Sequence, residues 1–159
     1  MKRLPFIIIM MSFLAFSCSD DDNPSVSKES KTSNYSGDLR FEDALEDIQE
    51  GNGTSDEFTI YKVSVVSDSL LVEVGYAGGC QSHEFELIWP DAIITIYPYD
   101  FGVILNHNAN GDLCEAFIQE TLFFNLSDNP LGLNDQSIQD MKITIINGSD
   151  PDNAVSNKE

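Results

Sequence analysis

The 159-residue sequence has few basic residues: 8 Lys and Arg stand against 27 Asp and Glu, giving a formal net charge of -19. Proteins that bind nucleic acids or adsorb to anionic lipid headgroups use Lys and Arg to neutralise phosphates. The charge therefore argues against both kinds of binding, and any attachment to a membrane has to be covalent. It is compatible with a cationic partner, and equally with high solubility alone.

The sequence also lacks the signatures of common enzyme families. It contains no Gly-x-Ser-x-Gly, no His-Glu-x-x-His and no Walker loop. The acidic pairs Glu84 with Glu86 and Glu115 with Glu120 would need a defined separation across a cleft to cleave glycosides. Acids at such positions normally lie on a solvated strand face. We therefore expect a protein without enzymatic activity.

No apolar run is long enough to span a membrane. Lys2 and Arg3 precede an apolar segment at residues 4–16, which is shorter than the ~20 residues of a spanning helix and has the length of a signal-peptide core. We expect residues 1–17 to be removed as a signal peptide. Loss of Lys2 and Arg3 leaves six basic against 27 acidic residues, so the mature chain carries a net charge of -21.

The end of this segment, Leu14-Ala15-Phe16-Ser17-Cys18, resembles a lipobox, in which the cysteine thiol receives diacylglycerol before cleavage leaves it N-terminal. Ala15 stands where Leu is usual, and Leu14 lies one place earlier, a variation tolerated in Bacteroidota. The acidic residues 20–22 resemble the export signal of surface-exposed Bacteroidota lipoproteins. The resemblance covers residues 1–23 and implies lipidation of Cys18, outer-membrane anchoring and exposure at the cell surface. An ordinary secretory signal with an incidental cysteine is the alternative.

The segments that flank the expected domain are polar. Residues 18–37 consist mostly of Ser, Asp, Asn and Lys, which predicts a flexible acidic tether. Residues 38–56 carry widely spaced apolar residues among acids, a pattern that predicts a short amphipathic helix ended by Gly51, or else a linker. We expect residues 149–159 to form a polar tail.

We expect residues 57–148 to form the folded domain. Apolar and polar residues alternate there in short runs rich in Val, Ile, Thr, Tyr and Phe, separated by turn residues. The predicted strands are 58–66, 70–76, 83–89, 93–97, 103–107, 114–126 and 141–147. Seven strands without an intervening helix predict an all-β fold, an antiparallel β-sandwich of immunoglobulin-like size, with a small β-barrel as the alternative.

The cysteines and histidines form one candidate site. With Cys18 lipidated, Cys80 and Cys114 remain, and outside the cytoplasm we expect them to form a disulfide. His83 and His107 lie near these cysteines, and strand alternation directs both rings toward the apolar side. The four side chains also make a Cys₂His₂ set that suits Zn²⁺, so a structural or hydrolytic zinc site is the alternative.

The loop after His107 is a weaker candidate. Asparagines at positions 106, 108 and 110 precede Gly111 as at the start of a calcium loop, but Phe117 stands where the bidentate Glu belongs. The sequence favours an Asn-Gly-Asp β-turn, which makes calcium unlikely and leaves Asp112 as a possible ligand-binding residue.

Residues 58–126 resemble small secreted bacterial β-domains of unassigned function, through the spacing of residues 78–85 and 107–115. This resemblance implies no activity. We therefore predict a lipid-anchored module, binding or structural, without a cofactor. Its natural site is the end of the sandwich near Cys80, His107 and Asp112, and its ligand could be a protein, a glycan or a peptide.

Overall fold

The computed structural model describes residues 40–93 and 96–159. The expected signal peptide, Cys18 and the tether lie outside the described residues, so their predictions stay predictions. The strands, in chain order, are β1 (Thr59–Val66), β2 (Ser69–Gly78), β3 (Glu84–Ile88), β4 (Asp100–Asn108), β5 (Ala116–Asn125), β6 (Lys142–Asn147) and β7 (Ala154–Ser156), and the helices are α1 (Phe41–Gln49) and α2 (Asp135–Asp140).

The strands form two sheets. One has the order β1-β2-β5 and is entirely antiparallel, and the other has the order β3-β4-β6-β7. Within the second sheet β4 and β6 are parallel, whereas the other two pairs are antiparallel. The predicted all-β sandwich is therefore confirmed, and the described residues form two sheets rather than a closed barrel. The parallel pair corrects the expectation of a wholly antiparallel arrangement.

Alternating side chains from both sheets meet in one core. In β2, every second residue from Leu70 to Tyr76 is buried, as a half-buried strand requires. Phe124 of the neighbouring strand β5 belongs to the same cluster. The facing sheet contributes further fully buried residues to it: Val103, Leu105, Ile143 and Ile145. This two-layer packing explains why the period of two in the sequence identified most of the strands.

Helix α1 covers the outer face of the second sheet. Its buried residues Ala44 and Ile48 lie one turn apart and pack with Ile88 and Ile104 in a second apolar cluster. The helix lies within residues 38–56, where the sequence predicted a helix or a linker, and Gly51 follows it at a φ of 75°. In the part of the chain that the structure describes, neither helix has the length and apolarity needed to cross a membrane.

Two predicted segments differ from the structure. In the predicted strand 93–97, the described residues Ile93, Ile96 and Tyr97 belong to no strand. One edge of β4 is already paired with β3 and the other with β6, so no further strand can pair with β4. Residues 149–159, expected to be a polar tail, contain β7, which pairs with β6.

A buried asparagine links the two sheets at the edge where β1 approaches β7. The Asn147 side chain is completely buried and donates hydrogen bonds to the Phe58 carbonyl (2.8 Å) and to Oδ1 of Asn153 (3.0 Å). The same Oδ1 accepts the backbone N–H of Ile60 at 2.7 Å. These bonds satisfy backbone groups that no strand partner reaches.

Candidate functional site

The disulfide closes one end of the β2-β5 pair. Cys80 lies just after β2 and Cys114 just before β5, and their Cα atoms are 5.9 Å apart across a sequence separation of 34. The last residue of β2, Gly78, pairs with the first residue of β5, Ala116. The predicted disulfide is confirmed, and its location follows from the pairing of these two strands.

The Asp112 carboxylate holds the loops around this disulfide together. Its Oδ2 accepts the backbone N–H groups of Gly79, Cys80 and Gln81 at 2.9, 2.8 and 2.9 Å, and its Oδ1 accepts the N–H of Cys114 at 2.9 Å. The side chain has no exposed surface. These N–H donors, those of Cys114 and Gln81 first, hold the pKa of Asp112 far below its usual value. Asp112 is therefore an anion that organises the backbone.

Both histidine rings lie in a buried chain of polar contacts that starts at this carboxylate. His83 Nε2 is 3.2 Å from Oδ2 of Asp112, and His83 Nδ1 is 2.8 Å from Nε2 of His107. His107 Nδ1 lies 3.3 Å from the Asp56 carbonyl oxygen. His83 and His107 are only 8% and 1% exposed, as strand alternation predicts. The two buried imidazoles therefore contact each other, and His83 also contacts Asp112.

Ionised Asp112 fixes the position of one proton in this chain of contacts. Its oxygen can only accept, so Nε2 of His83 carries a proton and donates to it. Burial, the largest influence, lowers the pKa of His107. The His83 ring therefore contacts a buried carboxylate on one side and the His107 ring on the other, which suits a structural role in the core.

Aromatic rings hold the imidazoles from their faces. Phe85 stacks on His107 with ring centroids 4.4 Å apart, and Tyr76 stacks on His83 at 4.5 Å. The Tyr76 hydroxyl donates to Oε1 of Glu120 at 2.7 Å. Burial first, and then Glu120, raise the pKa of Tyr76. The phenol therefore remains protonated and serves as a hydrogen-bond donor.

The Asn-rich loop forms the tight turn that the sequence favoured. Asn110 and Gly111 have φ values of 53° and 71°, and the Asp112 N–H donates to the Ala109 carbonyl at 3.0 Å. Left-handed backbone at two successive residues suits Asn-Gly. Asn108 Oδ1 accepts the N–H of Asn110 at 2.9 Å. Backbone donors therefore use oxygens that a calcium loop would turn toward the ion.

Cys80, Asp112 and Cys114 place possible metal-ligand atoms within 4.8 Å of one another. In this form both sulfurs belong to the disulfide, so neither is a thiolate, and Asp112 already accepts the donors described above. The rings of His83 and His107 contact each other rather than converging on the sulfurs. The predicted Cys₂His₂ residues are therefore neighbours, but they are not arranged as a zinc shell.

Two exposed aromatic side chains form a feature that the sequence pattern does not indicate. Tyr61 and Phe117 lie on the outer face of the β1-β2-β5 sheet, on either side of Gly75. Ile60 is buried, so alternation directs Tyr61 outward, and a bulge in the pairing with β2 between Ile60 and Lys62 leaves Lys62 on the same face. Tyr61 and Phe117 come from strands that only their shared pairing with β2 brings together, so no local pattern in the sequence indicates the pair.

No family model and no curated protein sequence matches this chain. Among solved structures, it is similar to a protein described as toxin-related from Parabacteroides distasonis, at 18% identity and a TM-score of 0.47, over 79% of this chain and 57% of that one. It is similar to a NigD-like immunity protein from Bacteroides caccae, at 17% identity and a TM-score of 0.44, over 79% and 56%.

A third similar structure is a protein of unknown function, DUF1344, from Bacteroides vulgatus, at 16% identity and a TM-score of 0.43, over 64% of this chain and 45% of that one. The chain thus spans about half the length of the solved structures that it matches.

Proposed function

We propose that this protein is a lipid-anchored module of the outer membrane, exposed at the cell surface, whose disulfide-stapled β-sandwich binds a partner or has a structural role without catalysis. One observation carries the non-catalytic part of the proposal. The polar atoms of Asp112, His83 and His107 are engaged with one another and with the backbone inside the protein. Groups held in this way support a rigid frame rather than reactions with a substrate.

The anchoring part of the proposal depends on the lipobox-like residues before Cys18. A net charge of -21 in the mature chain disfavours electrostatic adsorption to anionic lipids, so covalent lipid is the attachment that remains. A flexible tether over residues 18–37 would have a root-mean-square length on the order of 25 Å. That length separates the domain from the bilayer and leaves its loops accessible.

The disulfide-bonded end supports a role in binding. Leu113 lies between Asp112, whose carboxylate is buried, and Cys114, which is held by the disulfide, and yet its own side chain is 93% exposed. The backbone that presents this leucine is held on both sides, so binding would cost little backbone entropy. Loops on a rigid scaffold commonly carry binding residues, and Leu113 is in such a loop.

Protease treatment of intact cells tests this proposal. We expect added proteinase K to remove the domain from cells whose periplasmic proteins stay intact, and we expect Cys18→Ser to release the chain from the membrane fraction. Protection of the wild-type chain in intact cells would contradict surface exposure. Turnover of a substrate by the purified protein would contradict the non-enzymatic role.

A zinc site is the second candidate, and the short distances among Cys80, Cys114 and Asp112 favour it for the reduced protein only. Reduction would supply two thiolates next to a carboxylate, with His83 nearby. We would test it by adding Zn²⁺ to the reduced protein and counting the thiols that become unreactive. Thiols that react equally with and without zinc would eliminate this function.

A further inference from the structure

The outer face of the β1-β2-β5 sheet carries two exposed aromatic side chains that meet over a glycine. Tyr61 is 48% exposed and Phe117 is 67% exposed. A Cβ atom on residue 75 would lie 2.7 Å from Cε2 of Tyr61 and 3.0 Å from Cζ of Phe117, closer than side chains normally approach. Only glycine lets the two ring ends rest on the backbone here. We call Tyr61, Gly75 and Phe117 the aromatic strip.

Hydrogen-bonding side chains lie next to the aromatic strip. Gln119 pairs with Gly75 across the strands, and its Nε2 donates to Oε1 of Glu73 at 2.8 Å. A shallow depression of about 130 Å³ continues along the same face, and its lining residues are Lys62, Ser64, Leu71, Glu73 and Thr121. The face therefore combines apolar ring surface with an adjoining row of donors and acceptors, as small-ligand sites do.

This face is electrically neutral, in contrast to the rest of the chain. The residues of the aromatic strip and the depression include one cation, Lys62, and one anion, Glu73, and these two are cross-strand partners. The whole sequence has a net charge of -19. A cationic ligand would meet the Glu73 carboxylate, whose charge Lys62 already balances and which already accepts a hydrogen bond from Gln119. An anionic ligand would be repelled by the overall negative charge of the chain. The face matches an uncharged ligand.

We propose that this face binds a neutral carbohydrate. Sugar rings present apolar C–H faces, which stack on exposed aromatic rings such as Tyr61 and Phe117. Their hydroxyl groups both donate and accept, and so they fit Glu73, Gln119 and Lys62 beside the strip. This inference names a ligand class for the proposed binding module but uses a face other than the disulfide-bonded end, and it does not depend on the lipid anchor.

Calorimetric titration of the full chain tests the inference. The probes are unbranched hexasaccharides of glucose, mannose, xylose and N-acetylglucosamine, with hexagalacturonate as an acidic probe and hexalysine as a cationic one. We expect at least one neutral hexasaccharide to bind. Tyr61→Ala and Phe117→Ala each remove one stacking surface, and each should raise the Kd by about tenfold or more.

Gly75→Ala is the sharper variant because it retains both rings. The added methyl group meets only the far ends of two flexible side chains, so it should displace the rings from the sheet while the domain still folds. We expect a similar loss of affinity. Tyr97→Ala is the matched control, because Tyr97 is an aromatic residue of comparable exposure, 56%, outside this face. It should leave the Kd unchanged, and thermal melts verify the folding of each variant.

Several results would overturn the inference. These are the absence of binding by all four neutral probes, and sugar binding that Gly75→Ala and Tyr61→Ala leave intact. Binding of hexalysine alone, abolished by the same variants, would assign the face to a cationic partner. Concentration-dependent dimerisation abolished by these variants would assign it to a second copy of the chain. All of these measurements are made in solution, so release of the chain from membranes would not affect them.

Discussion

Removal of the Cys80–Cys114 disulfide should destabilise the domain by an amount that its loop length sets. The cystine closes a loop with a sequence separation of 34. In the chain-entropy description, opening such a loop increases the entropy of the unfolded chain enough to cost about 4 kcal/mol at 25 °C. Single domains are usually stable by about 5–15 kcal/mol, so this loss is a large share of the total. The folded state still retains the Asp112 bonds, which keep both loops in place.

Urea unfolding followed by circular dichroism measures this loss in the double variant Cys80→Ser with Cys114→Ser. We expect the free energy of unfolding to fall by about 4 kcal/mol and the denaturant slope to rise, because the unfolded chain exposes more surface without the cross-link. Cys18→Ser is the matched control, since it replaces the third cysteine and should leave the free energy of unfolding unchanged. A loss below about 1 kcal/mol in the double variant would refute the argument that the disulfide acts on the unfolded chain.

Four further outcomes follow from the contacts. Asp112→Asn should lower the melting temperature because an amide cannot accept the same set of N–H groups, whereas exposed Asp128→Asn should not; equal melting temperatures would contradict this role. The pKa of His107 in the folded protein lies below the 6.5 of an unfolded chain, so the unfolded state binds protons more readily. The free energy of unfolding should therefore fall as pH drops below about 6.5, by at most about 1.4 kcal/mol per pH unit. His107→Gln should flatten that dependence in melts measured over a series of pH values. Asn147→Ala should lower the free energy of unfolding in urea by about 1–3 kcal/mol, because it leaves the buried Phe58 carbonyl without its donor. An unchanged free energy of unfolding would show that this hydrogen bond does not stabilise the fold. Zinc should not raise the melting temperature of the unreduced protein, and a rise would revive the metal alternative.

The strands were largely predictable because burial on one face leaves a period of two in the sequence. Leu70 to Tyr76 in β2 shows this alternation plainly, and the burial of His83 and His107 followed from the same rule. The disulfide needed only the count of cysteines and the compartment. These features depend on a local pattern of residues or on the number of cysteines, and both can be read from the sequence.

Features that depend on distant partners were missed. The three residues of β7 are too short to display a period, and the parallel pairing of β4 with β6 depends on how the chain returns through α2. That helix does have a local signal, since the Asn134 side chain accepts the N–H of Ser137 as an N-cap. The role of Asp112 was also hidden. The sequence suggested a possible ligand-binding residue, whereas four of its five contacts come from residues 79–83, which only the fold brings close to it.

The most direct test of the proposed lipoprotein is the intact mass of the unreduced chain extracted from the cell envelope. We predict a protein that begins at Cys18, carries the added mass of a diacylglycerol group with its two acyl chains, and is lighter by two hydrogens than its reduced form. A mass equal to an unmodified polypeptide, or an N-terminus elsewhere than Cys18, would contradict the proposal.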